Sequence, residues 1–267
     1  MTELPFSATT PTHIAKVGLK ARDAEALSAF YRHLLGLAEL ARSDGAIVLG
    51  AGGRELLEIE RAPSAKPDDP RSAGLFHTAF LLPTRKDLAR WVRHASENRI
   101  PVTGASDHLV SEALYLNDPE GNGIEIYADR PKDRWTRSGG DIAMATERLD
   151  IDNLLGELDP STPVWHDAPN ATVVGHVHLR VGDPKEAEEW WHSQFGFETM
   201  ARYGSQAVFL ASGGYHHHIG ANTWASAGAG MRDPDRAGLA FVEMASSTHA
   251  PATLRDPWGT EIRVRSA

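Results

Sequence analysis

Cysteine is absent from this chain of 267 residues. Its absence excludes disulfides, thiolate nucleophiles, iron–sulfur clusters and thiolate-ligated zinc together. It fits a reducing compartment. Long apolar runs are also missing, and no stretch approaches the roughly 18 to 20 residues that a membrane-spanning helix needs. Met1 to Thr12 lacks the basic start and apolar run of a secretory leader, so a cytoplasmic location is expected. Basic residues are in deficit, 27 Lys and Arg against 36 Asp and Glu, for a net charge of −9. Such a balance leaves no footprint for a phosphate backbone and is repelled by anionic lipid, so neither nucleic acid nor membrane is expected as partner. The signatures GxSxG, HExxH, GxxxxGK[ST] and strand-to-helix GxGxxG are missing too.

What is present is a repeat. VGLKARDAEALSAFYRHLLGL from Val17 matches VHLRVGDPKEAEEWWHSQFGF from Val177 without a gap, 160 positions later. Asp23 and Asp183 coincide, as do Phe30–Tyr31 with Trp190–Trp191 and Gly36 with Gly196. Each copy reads as a strand followed by a helix. The aspartates suit the N-cap, Pro184 the first helical position, and the glycines a left-handed helix end. Leu27, Phe30, Tyr31 and Leu34 recur at helical spacing and predict one apolar stripe. A weaker copy begins at FHTAFLL, with Thr84 as cap and three β segments after its helix. A fourth, from Gly238, keeps the DPxG turn but has no room for a helix. The fold class is therefore α+β, a βαβββ module used about four times with the last abbreviated.

Modules one and two occupy 10–130, and modules three and four 171–267, with 131–170 as a connecting segment. That segment is rich in charge, Gly and Pro, with one short helical candidate in LDIDNLLGEL. Ala225 to Ala237, rich in Gly, is expected either to border a site or to act as a passive linker.

With no thiolate, any metal must be held by His, Asp or Glu, and there are 13 histidines. The stretch HLVSEALYLNDPEGNGIE, from His108 to Glu125, places His108, Leu114, Tyr115, Asp118, Pro119, Gly121 and Glu125 in a set order and spacing. It resembles the signature of extradiol ring-cleaving dioxygenases of the vicinal oxygen chelate superfamily, with Ser106 as a minor departure. The two-half layout and GYHHHIGANTW most resemble the short bacterial catechol-2,3-dioxygenase group. The resemblance implies the glyoxalase/bleomycin-resistance/extradiol dioxygenase fold. It also implies iron(II) as cofactor, with manganese(II) as the alternative, and catechol or a substituted catechol plus dioxygen as substrates. Two other activities share such a fold, a glyoxalase-type metal-dependent isomerase or lyase and a non-catalytic module that binds aromatic drugs. Assembly into a homo-oligomer stays open.

Non-haem iron(II) oxygenases use two histidines and one carboxylate on one face of the metal. His77 and His176 lie in the first strands of modules two and three, and Glu125 in the last strand of module two. In module one the place of His176 is taken by Lys16; in module four the places of His77 and Glu125 fall near Phe241 and Arg263. Only modules two and three together complete the set, whereas the family's usual site-forming modules both lie in the C-terminal half. Singly, each residue has an ordinary structural use; the joint occurrence points to a metal. The family's acid–base histidine matches His217, with His218 close behind, and on a strand His216 and His218 would face away from His217. Tyr115 would hydrogen-bond a substrate oxygen, and His108 would order the metal's surroundings or bind substrate. His178 shares a face with His176, and Asn222 and Trp224 are candidates for the pocket wall. The remaining histidines are expected to be structural or exposed.

Overall fold

In the computed structural model, which describes residues 3–267, the sequence repeat becomes a structural one. Module one comprises β1 (Thr12–Ala21), α1 (Ala24–Leu35), β2 (Ala38–Arg42), β3 (Ala46–Ala51) and β4 (Arg54–Arg61). Module two comprises β5 (Gly74–Leu81), α2 (Arg85–Glu97), β6 (Gly104–Asp107), β7 (Ser111–Asn117) and β8 (Gly123–Asp129). The connecting segment carries β9 (Arg137–Ser138), β10 (Asp141–Ile142), β11 (Glu147–Arg148) and α3 (Ile151–Leu155). Module three comprises β12 (Val173–Arg180), α4 (Pro184–Phe195), β13 (Glu198–Tyr203), β14 (Ala207–Ala211) and β15 (Ile219–Asn222). The last module has only β16 (Gly238–Ser246), β17 (Ala252–Arg255) and β18 (Glu261–Ser266).

The helices begin where short polar side chains meet the free amides of a first turn. Asp23 accepts from the Ala26 N–H, Thr84 from Asp87 and Asp183 from Lys185. Gly36 and Gly196 end α1 and α4 in the left-handed region, with φ of 71° and 63°. Leu27, Tyr31 and Leu34 are buried on one stripe of α1, as expected from their spacing.

The modules pair across the chain. The seven-stranded sheet has the order β17-β18-β16-β1-β4-β3-β2, so module one joins module four through β1 and β16. The nine-stranded sheet has the order β11-β6-β7-β8-β5-β12-β15-β14-β13, so module two joins module three through β5 and β12. Each sheet thus takes one module from 10–130 and one from 171–267. One continuous apolar core includes Leu27 and Leu34 of α1, Leu88 and Trp91 of α2, Trp191 of α4, and strand residues of both sheets. In β12, Val177 and Leu179 enter that core, and the alternation of a strand turns His176 and His178 to the opposite face.

The connecting segment is tied down along its length. β11 extends the nine-stranded sheet beside β6, and Asp150 caps α3 against α2. The helix is shorter than the apolar stretch LDIDNLLGEL suggested, because Gly156 follows its fifth residue. Leu149, Leu154 and Trp165 join the core. Residues 225–237 lie against Lys66, Gly182 and Trp258, away from the cavity described below.

Trp91 holds α2 to α1: it is fully buried, and its indole N–H donates to the Leu34 carbonyl at 2.9 Å. Trp91→Ala removes a large core side chain and orphans that carbonyl, so unfolding stability should fall by about 3–5 kcal/mol. Urea denaturation of the two proteins checks this.

Candidate metal centre and cavity

Two rows of residues cross the middle of the nine-stranded sheet. In the first, Tyr115 pairs with Glu125, Glu125 with Ala79, and Ala79 with His176. In the second, Gly123 pairs with His77 and His77 with His178. His77 precedes Ala79 by two residues, so both rows share one face. Ala79, with only a methyl group, sits between the longer side chains. The register also places His77 diagonally from His176, a spacing that long side chains bridge.

The result is a convergent cluster. His77 Nε2 lies 3.0 Å from Glu125 Oε2, His176 Nε2 lies 3.2 Å from the same oxygen, and the two nitrogens are 3.3 Å apart. All three residues are buried. Donors each about 2.1 Å from one ion at right-angled positions would be separated by about 3.0 Å. Two lone-pair nitrogens and a carboxylate oxygen drawn to one point therefore fit a divalent cation. Burial alone would raise the Glu125 carboxyl. The imidazoles of His176 and His77 outweigh it and hold Glu125 well below the usual carboxylate range. Burial also lowers His176 to about 4, against a partial opposing pull from Glu125, so it stays neutral and able to ligate. His176 Nδ1 meets no partner among the described residues.

The cluster lies in the wall of a cavity of about 770 Å³. His77, Glu125, His176 and His217 line it at the polar end, and Phe76, Phe209, His178 and Trp224 form an aromatic wall. Those rings meet edge to face: Phe76 with Trp224 at 5.1 Å, Phe76 with His178 at 5.2 Å, and His77 with His178 at 5.0 Å. Residues Ser138 and Asp141 to Thr146 of the connecting segment line it too, adding the apolar Ile142 and Met144. Their two-residue strands have no periodicity that marks them in the sequence.

Tyr115 and His108 form a pair. His108 Nδ1 lies 2.7 Å from the Ala145 carbonyl and its Nε2 lies 2.6 Å from the Tyr115 hydroxyl. Nδ1–H therefore donates to the carbonyl, and Nε2 accepts from the phenol. Burial and the nearby Glu125 carboxylate both push the Tyr115 phenol well above its usual range, so it remains a donor.

The three consecutive histidines separate. Tyr215 to His218 lie outside any strand, since β15 begins only at Ile219, where the sequence suggested strand geometry throughout. His217 faces the cavity, with its ring 4.0 Å from that of His176. His216 and His218 both pack on Tyr215. His218 is fully buried away from the cavity: Nδ1 accepts from the Ser212 N–H, and Nε2 lies 3.1 Å from the Ser7 carbonyl. Its role is to hold the N-terminal turn. Asn222 is buried as well, its side-chain oxygen taking the Trp224 N–H, while Trp224 itself reaches the cavity.

Fold and site together define a βαβββ-module protein with a cluster of two histidines and one carboxylate that could hold a metal ion. The profile of the Glyoxalase/Bleomycin resistance protein/Dioxygenase superfamily matches residues 12–126. Over 234 residues the chain is 42% identical to the catechol-2,3-dioxygenase of Bacillus subtilis (strain 168), spanning 86% of this chain and 81% of that protein. Biphenyl-2,3-diol 1,2-dioxygenase 2 of Rhodococcus globerulus is 35% identical over 69 residues, 26% of this chain and 36% of its own. Among solved structures, glyoxalase I from Zea mays shares the fold with a TM-score of 0.56 at 12% identity, covering 98% of this chain and 94% of that one. The chain belongs to the Glyoxalase/Bleomycin resistance protein/Dioxygenase superfamily.

Burial lowers His218 to about 3, only partly offset by its bond to the Ser7 carbonyl. An unfolded histidine takes up a proton near pH 6.5, which the folded one refuses until far lower pH. Its contribution to stability is therefore complete above about pH 6.5 and lost as pH falls through that window. In His218→Asn, the fall in unfolding free energy between about pH 6 and 4 should be shallower, by up to about 1.4 kcal/mol per pH unit. Denaturant titrations of the metal-free proteins across that range check this.

Proposed function

We propose that the protein is an iron(II)-dependent extradiol dioxygenase that opens the ring of catechol or a substituted catechol. The observation that carries the proposal is the cluster of His77, Glu125 and His176 donor atoms within about 3 Å of one another at the wall of an aromatic-lined cavity. The 42% identity to a catechol-2,3-dioxygenase supports the same reading. Both oxygen atoms of dioxygen enter the product, a ring-opened semialdehyde, so no external reductant is consumed. Iron(II) held by the three side chains would supply the redox chemistry, with its open positions toward the cavity.

The chain's own residues do the rest. The aromatic wall of Phe76, Phe209, His178 and Trp224 stacks on a flat ring and excludes water. Tyr115, held by His108, presents its hydroxyl beside Glu125, where a substrate oxygen would sit. His217 faces the same space and is the group placed to carry a proton between substrate oxygens. A positioned acid–base group of this kind contributes about 10²–10⁴-fold to rate.

Loading with iron(II) under argon, then adding catechol and air, should give oxygen uptake and a yellow product. Metal binding without oxygen uptake across a panel of catechols would overturn the oxygenase reading in favour of a glyoxalase-type isomerase or lyase. His77→Ala and Glu125→Gln should each lose bound iron and turnover together, read by metal analysis beside the oxygen electrode. Full turnover in either would remove the cluster from the chemistry.

A further inference from the structure

Behind His217 lies a chain of polar groups, buried except for the half-buried Asp129, that the proposed chemistry does not yet use. Asp129 ends β8, and its Oδ1 lies 2.8 Å from His216 Nε2. His216 Nδ1 lies 2.8 Å from His217 Nδ1. Tyr215 donates to Asp129 Oδ1 at 3.3 Å, which leaves the Tyr127 hydroxyl, 2.7 Å away, to donate to Tyr215. Space for Tyr127 is kept by Gly175, where a Cβ would meet the hydroxyl at 1.8 Å. His216 is fully enclosed, between the rings of Tyr215 and Trp135.

With both imidazoles neutral, the bonding pattern permits one arrangement of protons. A carboxylate only accepts, so His216 Nε2 carries a hydrogen. A neutral imidazole has one N–H, so His216 Nδ1 is a bare acceptor. The nitrogen facing it at 2.8 Å must then donate, and His217 carries its hydrogen on Nδ1. His217 Nε2 is left as a lone pair, and no other side chain in the cluster bonds to it. The geometry points to Asp129 and His216 as positioning residues that fix His217 in the Nδ1–H tautomer, so that Nε2 meets the substrate as an acceptor. A buried acid that holds an imidazole in one tautomer is an established catalytic device; here a second imidazole stands between them.

The role of this relay in ring opening rests on the function proposed above, but the tautomer itself does not. Two-bond ¹H–¹⁵N correlation spectra of the histidine-labelled full chain, loaded with diamagnetic zinc(II), read it directly. His217 should show a pyrrole-type Nδ1 and a pyridine-type Nε2. A proton on Nε2, or an even mixture, would overturn the assignment. In His216→Phe the acceptor is gone, and the His217 signals should move toward averaged values. In the iron-loaded form of that variant, kcat should fall at least about tenfold while KM for catechol changes less than about threefold, a share of the full acid–base contribution. Unchanged His217 signals and kcat in the variant would sink the role of His216. Wild-type chain with the expected tautomer but no oxygen uptake would instead count against the dioxygenase reading.

Discussion

Along the seam between β5 and β12, Ala79 pairs with His176 and His77 with His178. Every donor of the candidate metal cluster takes its place from that ladder or from the strand beside it. β8 lies on the far side of β5, with Glu125 opposite the same alanine. Three strands from two modules thus deliver three ligands to one point with no loop in between. Backbone hydrogen bonding sets the register, and a slip of one residue in any of the three strands would turn its donor into the core. The precision that a metal cup needs is supplied by a structure that would form for packing reasons alone.

Much of this was legible before any coordinates. Repetition at an offset of 160 marked the helices of modules one and three, and the caps at Asp23, Thr84 and Asp183 are short-range rules of hydrogen bonding. His77, Glu125 and His176 stood out by side-chain type and by place in the repeat, and the structure brings them together. The joining of modules two and three had no local signal. Its one trace is that Lys16, Phe241 and Arg263 cannot complete a ligand set.

Other features were beyond reach because they depend on distant contacts. Ser138 and residues 141–146 line the cavity from a stretch whose strands are two residues long and whose polarity follows no period. Separating the histidines at 216–218 needed knowledge of what each one meets, such as Asp129, 87 positions away, or Ser7, 211 away. A strand rule of alternation put His217 apart from its neighbours, yet the backbone there is not a strand. It is the packing on Tyr215 that divides them.

The seven-stranded sheet carries the counterpart of the candidate metal cluster at equivalent positions of its ladder. Where His176, Ala79 and Glu125 stand in one sheet, Lys16, Glu243 and Arg263 stand in the other, with Phe241 at the place of His77. The Lys16 ammonium lies 2.8 Å from both Glu55 and Glu58, and the Arg263 guanidinium stacks 3.5 Å over the Phe241 ring. An internal ammonium thus stands at the place of His176, held by two carboxylates. One repeat unit thus gathers imidazole and carboxylate donors in one sheet and, in the other, a cluster closed by its own ion pairs.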